Sequence, residues 1–295
     1  MTGHAREDPE LARLIAELRP KLHRYCARMT GSVIDGEDIV QEALLKAIVA
    51  FPQAGPLANP EGWLFRIAHN TALDFLRSRA RRESVHAAED PDMIAAPQNP
   101  VHDREIAAAS LRTFMRLPVA QRGAVILRDV LGHSLEEICE IMDTSIPAAK
   151  SALQRGRARV HELAQEPEDI APPVLVEADR VRLMKYVECF CAHDFDTVRA
   201  MLSADIGLDL VNRLHVRGRD GVGQYFHRYA LADQWRFAPG FVDRRPAMLV
   251  FDRHDLSGRP AYFVLLGWAG DSVISIRDFL FARYVLEAAE LLELK

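Results

Sequence analysis

Cysteine is scarce in this chain. Four residues in 295 (Cys26, Cys139, Cys189, Cys191) are too few, and too apolar in context, for a disulfide framework. No apolar run approaches the roughly 20 residues needed to span a bilayer. The polar start, MTGHAREDPE, lacks the apolar core of a signal peptide. The protein is therefore expected in the cytoplasm, with no membrane partner. No His/Cys cluster has zinc-ligand spacing. Cys189 and Cys191, two apart on a helix, point to different faces, so buried thiols rather than a metal site are expected there. No cofactor is expected, and the chain has no internal repeat or low-complexity tract. A large charge is lacking too: the formal net charge is -5 and the pI about 6.1. That balance excludes indiscriminate nucleic-acid coating but permits a local basic patch.

With 49% hydrophobic and 27% charged residues, the chain is neither disordered nor membrane-embedded. Its length suits two or three domains. Residues 10–82 carry apolar positions three and four apart, the helical pattern. Residues 83–103 are acidic, proline-containing and without period, and read as a linker. Helical spacing returns over 104–165, and a second Pro/acid break covers 166–174. The last segment, 175–295, opens with a long helical pattern, VEADRVRLMKYVECFCAHDFDTVRAMLSADI. Strands with turn signals follow at RGRDGVG, DRHDLSGRP and WAGDS, the last joining two paired strands. An α+β module is the natural reading.

Within 104–165 lies GHSLEEICEIMDTSIPAAKSALQRGRARV. Ser134 caps a helix and Glu137, three residues on, completes a capping box. Leu135, Ile138, Cys139 and Met142 give that helix one apolar face. A turn at Asp143–Thr144 follows, then Ser145 as a second cap and Pro147 in the first turn, where a missing N–H costs little. Two short helices across a tight turn form a helix-turn-helix. At about 100° per residue, Ala149, Leu153, Gly156 and Val160 share the core side of the second helix. Lys150, Ser151, Gln154 and Arg155 lie on another side, suited to base edges in a major groove. Arg157 and Arg159 flank them, suited to phosphates. The same spacing also fits a structural hairpin with a solvated basic face.

In the first segment, DGEDIVQEALLKAIVAF makes an amphipathic helix with Asp35 as its expected N-cap. Ile39, Val40, Ala43, Leu44, Ala47 and Ile48 form its expected buried face. Asp38, Gln41, Glu42 and Leu45 fall at i, i+3, i+4 and i+7, one stripe of acid, amide and a leucine. It reads either as a solvated face or as a protein-docking surface. NPEGWLFRIAHNTALDFLRSRARR follows, with Asn59 as cap and Pro60 first in the helix. Trp63, Phe65, Arg66, His69 and Asn70 near its start suit an unstacked base, which needs a π-face, edge hydrogen bonds and a positive backbone track. Arg77, Arg79, Arg81 and Arg82 at its end would supply that track. The alternative gives the aromatics to the core and the arginines to solvent.

Taken together, DIVQEALLKA, WLFRIAHNTALDFLRSRARR and LPVAQRGAVILRDVLGHSLEEICEIMDTSIPAAKSALQRGRARV resemble a bacterial RNA polymerase sigma factor of the extracytoplasmic-function (ECF) group. The likeness covers roughly residues 10–165 in the right order and spacing. It implies that residues 10–82 are sigma region 2 and residues 104–165 are sigma region 4. By that likeness Asp38, Gln41, Glu42 and Leu45 dock on the β′ clamp of the polymerase core. Trp63, Arg66 and Asn70 hold a base flipped from the promoter −10 element, and Arg77, Arg79, Arg81 and Arg82 track backbone. Lys150, Ser151, Gln154 and Arg155 match the positions that read the −35 element. The likeness departs where Pro147 and Ala148 replace the usual Gly and Thr of the recognition helix, and where Ala152 stands in place of a common basic residue.

The last segment is similar to the SnoaL-like group of α+β cone-shaped barrels, through YVECFCAHDFDTVRAMLSADIGLDLV, VRGRDGVGQYFHRY and the late paired strands. Such barrels often enclose an apolar pocket. Asp209, His215, Tyr225, Tyr229, Trp235, His254 and Asp278 are the candidate pocket groups, for a small-molecule ligand. No spacing identifies a catalytic base and oxyanion donor, so a regulatory module is expected rather than an enzyme. A DGGG-type motif, carried by some sigma factors with this appendage, is absent; RGRDGVG stands instead. Two other readings remain: a helix-turn-helix regulator with a ligand-binding barrel, acting as a dimer without polymerase, or a SnoaL-like enzyme fused to a DNA-targeting module.

Overall fold

The computed structural model describes residues 9–83, 106, 109–166 and 173–294, so the expected linkers fall almost wholly outside the described residues. The chain divides into two units, Met1–Asp169 and Ile170–Lys295.

The first unit is helical: α1 (Pro9–Thr30), α2 (Val33–Ala54), α3 (Pro60–Glu83), α4 (Leu111–Met115), α5 (Val119–Val125), α6 (Leu135–Met142) and α7 (Ile146–Ala164). One wide π turn, Ile126–Val130, extends α5. Local chemistry sets most of the boundaries. Asn59 Oδ1 accepts from the Gly62 amide at 2.9 Å, and Pro60 begins α3 as expected. Ser134 Oγ accepts from Glu137 N (3.1 Å) while Glu137 Oε2 accepts from Ser134 N (2.7 Å), completing the capping box. Asp143 closes α6 in the left-handed region (φ 51°), and Ser145 caps α7.

One cap differs from expectation. Ser32, not Asp35, caps α2, its hydroxyl accepting from Ile34 N and Asp35 N. The helix starts early because Gly31, at φ +76°, turns the chain sharply out of α1. A Cβ on Gly31 would meet Met115 Cγ at 2.3 Å, so the turn needs glycine on steric grounds as well.

The two helical segments share a single hydrophobic core. Tyr25, Met29, Leu44 and Phe65 from α1–α3 pack in one cluster with Phe114, Val125, Ile138 and Leu153 from α4–α7. Arg122 of α5 is buried and donates to Met29 O (2.6 Å), Leu117 O (2.9 Å) and Met115 O (3.1 Å). It thus satisfies a carbonyl at the open C-terminal end of α1. Burial lowers the Arg122 pKa to about 10.

The second unit comprises α8 (Glu177–Cys191), α9 (Phe195–Ala200), β1 (Leu202–Leu210), β2 (Leu214–Arg217), α10 (Arg219–Ala230), β3 (Trp235–Val242), β4 (Arg245–Asp252), β5 (Tyr262–Ala269), β6 (Ser272–Asp278), a 3-10 turn (Arg283–Ala288) and β7 (Leu291–Glu293). The mixed sheet runs β2-β1-β6-β5-β4-β3-β7, with β1 parallel to β6 and the other pairs antiparallel. α8 packs on β3 and β4, and α10 on β1 and β2. The α+β reading and the β5–β6 turn at Gly270–Asp271 agree with this architecture.

Two local readings do not. LSADI continues no helix: it begins β1, where Ile206, Leu208 and Leu210 bury alternate positions. RGRDGVG holds a turn only at Gly218 (φ 83°) and then starts α10, because Val222, Tyr225, Phe226 and Tyr229 bury at helical spacing. Cys191 is exposed and Cys189 half-buried, rather than buried as expected. The Cys191 thiol donates to Phe237 O at 3.5 Å.

Candidate nucleic-acid interface

On α2 the core takes Ile39, Val40, Ala43, Leu44 and Ala47. Ile48 does not join them and is 48% exposed. It stands about 40° beyond Leu44 around the helix, past the edge of the buried arc. Leu45 (66%) and Val49 (73%) are exposed beside it. Asp38 and Glu42 are exposed and Gln41 half-buried, so the acid-amide-leucine stripe adjoins an apolar patch. Glu42 pairs with Lys46 at 2.8 Å.

The start of α3 divides its candidates. Phe65 and His69 belong to the core, which removes them from any base-holding surface. His69 Nδ1 is hydrogen-bonded to Tyr25 OH at 2.6 Å, and burial lowers its pKa to about 4, so it is neutral at pH 7. Trp63 is half-buried, its ring tilted against Phe51 at 6.1 Å. Arg66 and Asn70 are exposed. Arg66 lies 3.7 Å from Asp143, the residue that closes α6, and Phe65 meets His133 edge-on at 4.8 Å. Arg77, Arg81 and Arg82 are exposed and Arg79 half-buried along the end of α3. Arg77 pairs with Asp74 at 3.2 Å.

On α7, Ala149, Ala152, Leu153, Gly156 and Val160 face the core. Lys150, Ser151 and Gln154 are exposed and Arg155 is half-buried. Arg159 is half-buried and makes a surface pair with Glu162 at 2.9 Å. Arg157 is engaged elsewhere. Its Nε donates to Asp129 Oδ2 at 2.9 Å and its Nη2 to Asp129 Oδ1, a two-pronged pair with a carboxylate presented by the π turn. That reassigns Arg157 from phosphate contact to holding α7 on the π turn. Nothing in its sequence neighbourhood could announce a partner 28 residues away.

In the second unit Tyr225, Tyr229, Trp235 and Asp278 come together in one buried network, while Asp209, His215 and His254 lie elsewhere. Asp278 is fully buried; Tyr225 OH (3.0 Å) and Tyr229 OH (2.7 Å) donate to its Oδ2, and Leu280 N (2.8 Å) to its Oδ1. Tyr229 and Tyr262 hydroxyls meet at 2.8 Å, and Trp235 stands edge-on to Tyr262. Burial raises the Asp278 pKa. Asp209 is the register partner of Arg277, not of Asp278, and successive strand residues point to opposite faces. Asp209 accordingly pairs with Arg277 (3.3 Å) and exposed His215 (3.3 Å) on the other side of the sheet. His254 is exposed between β4 and β5. An open groove of about 480 Å³ lies between α8 and β3, walled by Met184, Val187, Cys191 and Phe237. No candidate pocket residue lines it. Three donors thus hold the Asp278 carboxylate inside the core of the unit.

No helix among the described residues is long and apolar enough to cross a membrane. Residues 14–82 match sigma-70 region 2 and residues 111–160 match sigma-70 region 4. A region-2 helical segment followed by a helix-turn-helix of region 4 defines a sigma-70-class protein. The ECF RNA polymerase sigma factor SigJ of Mycobacterium tuberculosis is 30% identical over 256 residues, covering 79% of this chain and 76% of SigJ. SigG of the same organism is 32% identical over 213 residues, 63% of this chain and 57% of SigG, so this chain spans little more than half of that relative. The crystal structure of M. tuberculosis SigJ covers 90% of this chain and 95% of its own, at 23% identity and a TM-score of 0.36. The chain belongs to the extracytoplasmic-function sigma factor family.

Proposed function

We propose that the protein is a promoter-specificity subunit that binds the RNA polymerase core, directs it to a two-part promoter and helps open the −10 region. One observation carries this reading. A helix-turn-helix exposing Lys150, Ser151 and Gln154 is built on the same core as the α2 stripe and the arginine-lined α3. In this reading Asp38, Gln41, Glu42 and Leu45, extended by Ile48 and Val49, meet the β′ clamp. Trp63, Arg66 and Asn70 take an unstacked −10 base, and Arg77, Arg79, Arg81 and Arg82 follow its backbone. Lys150, Ser151, Gln154 and Arg155 read the −35 element in the major groove. The chain acts in the cytoplasm and makes no covalent change; the enclosed Asp278 network supports a non-enzymatic second unit.

Promoter elements about 25 base pairs apart lie ~85 Å apart at 3.4 Å per base pair. Directly packed helices lie about 8–10 Å apart, and α6 packs on both α3 and α7, so the two DNA-facing helices are about 20 Å apart at most. The first unit therefore has to part, α4–α7 leaving α1–α3, before both elements are engaged. The second unit serves as a modulator of that presentation, and the α8–β3 groove is the place a small apolar ligand would enter. Run-off transcription with core polymerase tests the main reading: promoter-specific transcripts are expected only when the chain is added. Truncation near residue 170 is expected to change promoter output or polymerase affinity; unchanged values for both would remove the modulating role.

A further inference from the structure

The N-terminal tip of α7 is apolar and faces outward. Ile146 is 43% exposed, and Pro147 and Ala148 are exposed beside it. The core-facing residues of the helix begin only at Ala149. At about 100° per residue, Pro147 lies on the same outward stripe as Ser151 and Gln154, flanked by Ile146 and Lys150 on one side and Ala148 on the other. Core packing does not account for three successive exposed apolar side chains here. Ser145 already supplies the cap through its hydroxyl, which accepts from Ala148 N. None of the three side chains can donate or accept a hydrogen bond, and Pro147 has no backbone N–H to offer.

In a helix-turn-helix the N-terminal residues of the second helix are the ones that approach base edges. The thymine C5-methyl is the distinctive apolar group presented in the major groove; the other edges are hydrogen-bonding atoms, and covering them with an apolar tip leaves them unsatisfied. We infer that Ile146, Pro147 and Ala148 determine specificity in the −35 element by packing on thymine methyls. Lys150, Ser151 and Gln154 then read the adjoining base pairs by hydrogen bonding. The element is bipartite: a thymine step under the tip, and a polar-read step beside it. Ile146 is the main contributor, because it has the largest apolar side chain of the three and is 43% exposed. This rests on the promoter-reading function proposed above.

The experiment uses the full chain assembled with core polymerase and a duplex promoter library randomised across the −35 region. Selected sequences are expected to carry thymine at one or two positions next to the polar-read step. Replacing such a thymine with deoxyuridine removes only the methyl and is expected to weaken binding about fourfold, the ratio for burying one methyl-sized group. Ile146→Asn is expected to abolish both the thymine preference and the deoxyuridine effect while keeping the rest of the selected motif. Its thermal unfolding midpoint, measured alongside, is expected to stay unchanged because the side chain is on the surface. Full tolerance of deoxyuridine, or G·C under the tip, would overturn the inference and leave promoter reading intact. Absence of any −35 enrichment would overturn the promoter reading and the inference with it.

Discussion

Arg155 and Arg157 sit two residues apart on α7 and have different duties. Arg157 is held by Asp129, whose carboxylate is almost fully enclosed, so truncating it leaves a charge without its partner. Arg157→Ala is expected to lower the stability of the helical unit by about 3 kcal/mol in denaturant unfolding. It is expected to leave the salt dependence of promoter binding nearly unchanged. Arg155→Ala is expected to do the reverse, costing about 1–3 kcal/mol at matched −35 sites and less at mismatched ones. Equal losses on all sequences would mean that Arg155 touches only phosphate. His69 gives a second residue-scale expectation. Its ordinary pKa of 6.5 falls to about 4 through burial, so the unfolded chain binds its proton first as pH falls. Stability is complete above pH 6.5 and declines between 6.5 and 4, by about 3 kcal/mol in all. Unfolding midpoints across that range check the sign, and His69→Gln is expected to flatten the slope. His133, also lowered by burial, adds to the same trend.

At the scale of elements, what could be read from the sequence followed the reach of each signal. The Ser134–Glu137 box, the Asn59 cap and the Ser145 cap all close within three residues, so their chemistry is complete in the local sequence. The core side of α7 followed from spacing alone. Local sequence does not separate Ser32 from Asp35, since both are good caps; the Gly31 turn against Met115 decides between them, and that contact is tertiary. The start of β1 reads as helix because Leu202 and Ile206 are four apart, a spacing that also fits alternate burial in a strand. The same arithmetic puts Ile48 inside, yet it stands outside by one step of the wheel. Its exposure beside Leu45 and Val49 yields a sharper expectation for α2. Leu45→Asp and Ile48→Asp are each expected to weaken binding to core polymerase at least tenfold without shifting the melting temperature. A stability loss with unchanged binding would make the patch structural.

At the scale of the whole chain, the sequence divides the helical part into two segments, whereas the structure gives them one core. Arg122 and Met29, joined by a hydrogen bond, are 93 residues apart, and no periodicity connects them. The second unit was legible as α+β, but its pocket was not. Asp209 and Asp278 look equivalent as acidic strand residues, and only register sends them to opposite faces of the sheet. Binding to polymerase is expected to separate the segments. Fluorescent labels on the exposed surfaces of α2 and α7 should report a large loss of energy transfer when core polymerase is added. No change on forming an active holoenzyme would show that the shared core persists.

The Arg122 bond into the end of α1 also bears on how strongly the protein responds, as distinct from which sequences it chooses. If only the parted form engages a promoter, its rarity multiplies every apparent dissociation constant by the same factor. Closing again is a first-order event within one chain, so that factor does not depend on protein concentration. Loosening the bond, as in Arg122→Lys, would raise output at strong and weak promoters in equal proportion. Changes on α7 would instead reorder them. On that condition the shared core would act as a gain setting for an entire set of promoters, independent of the reading helix.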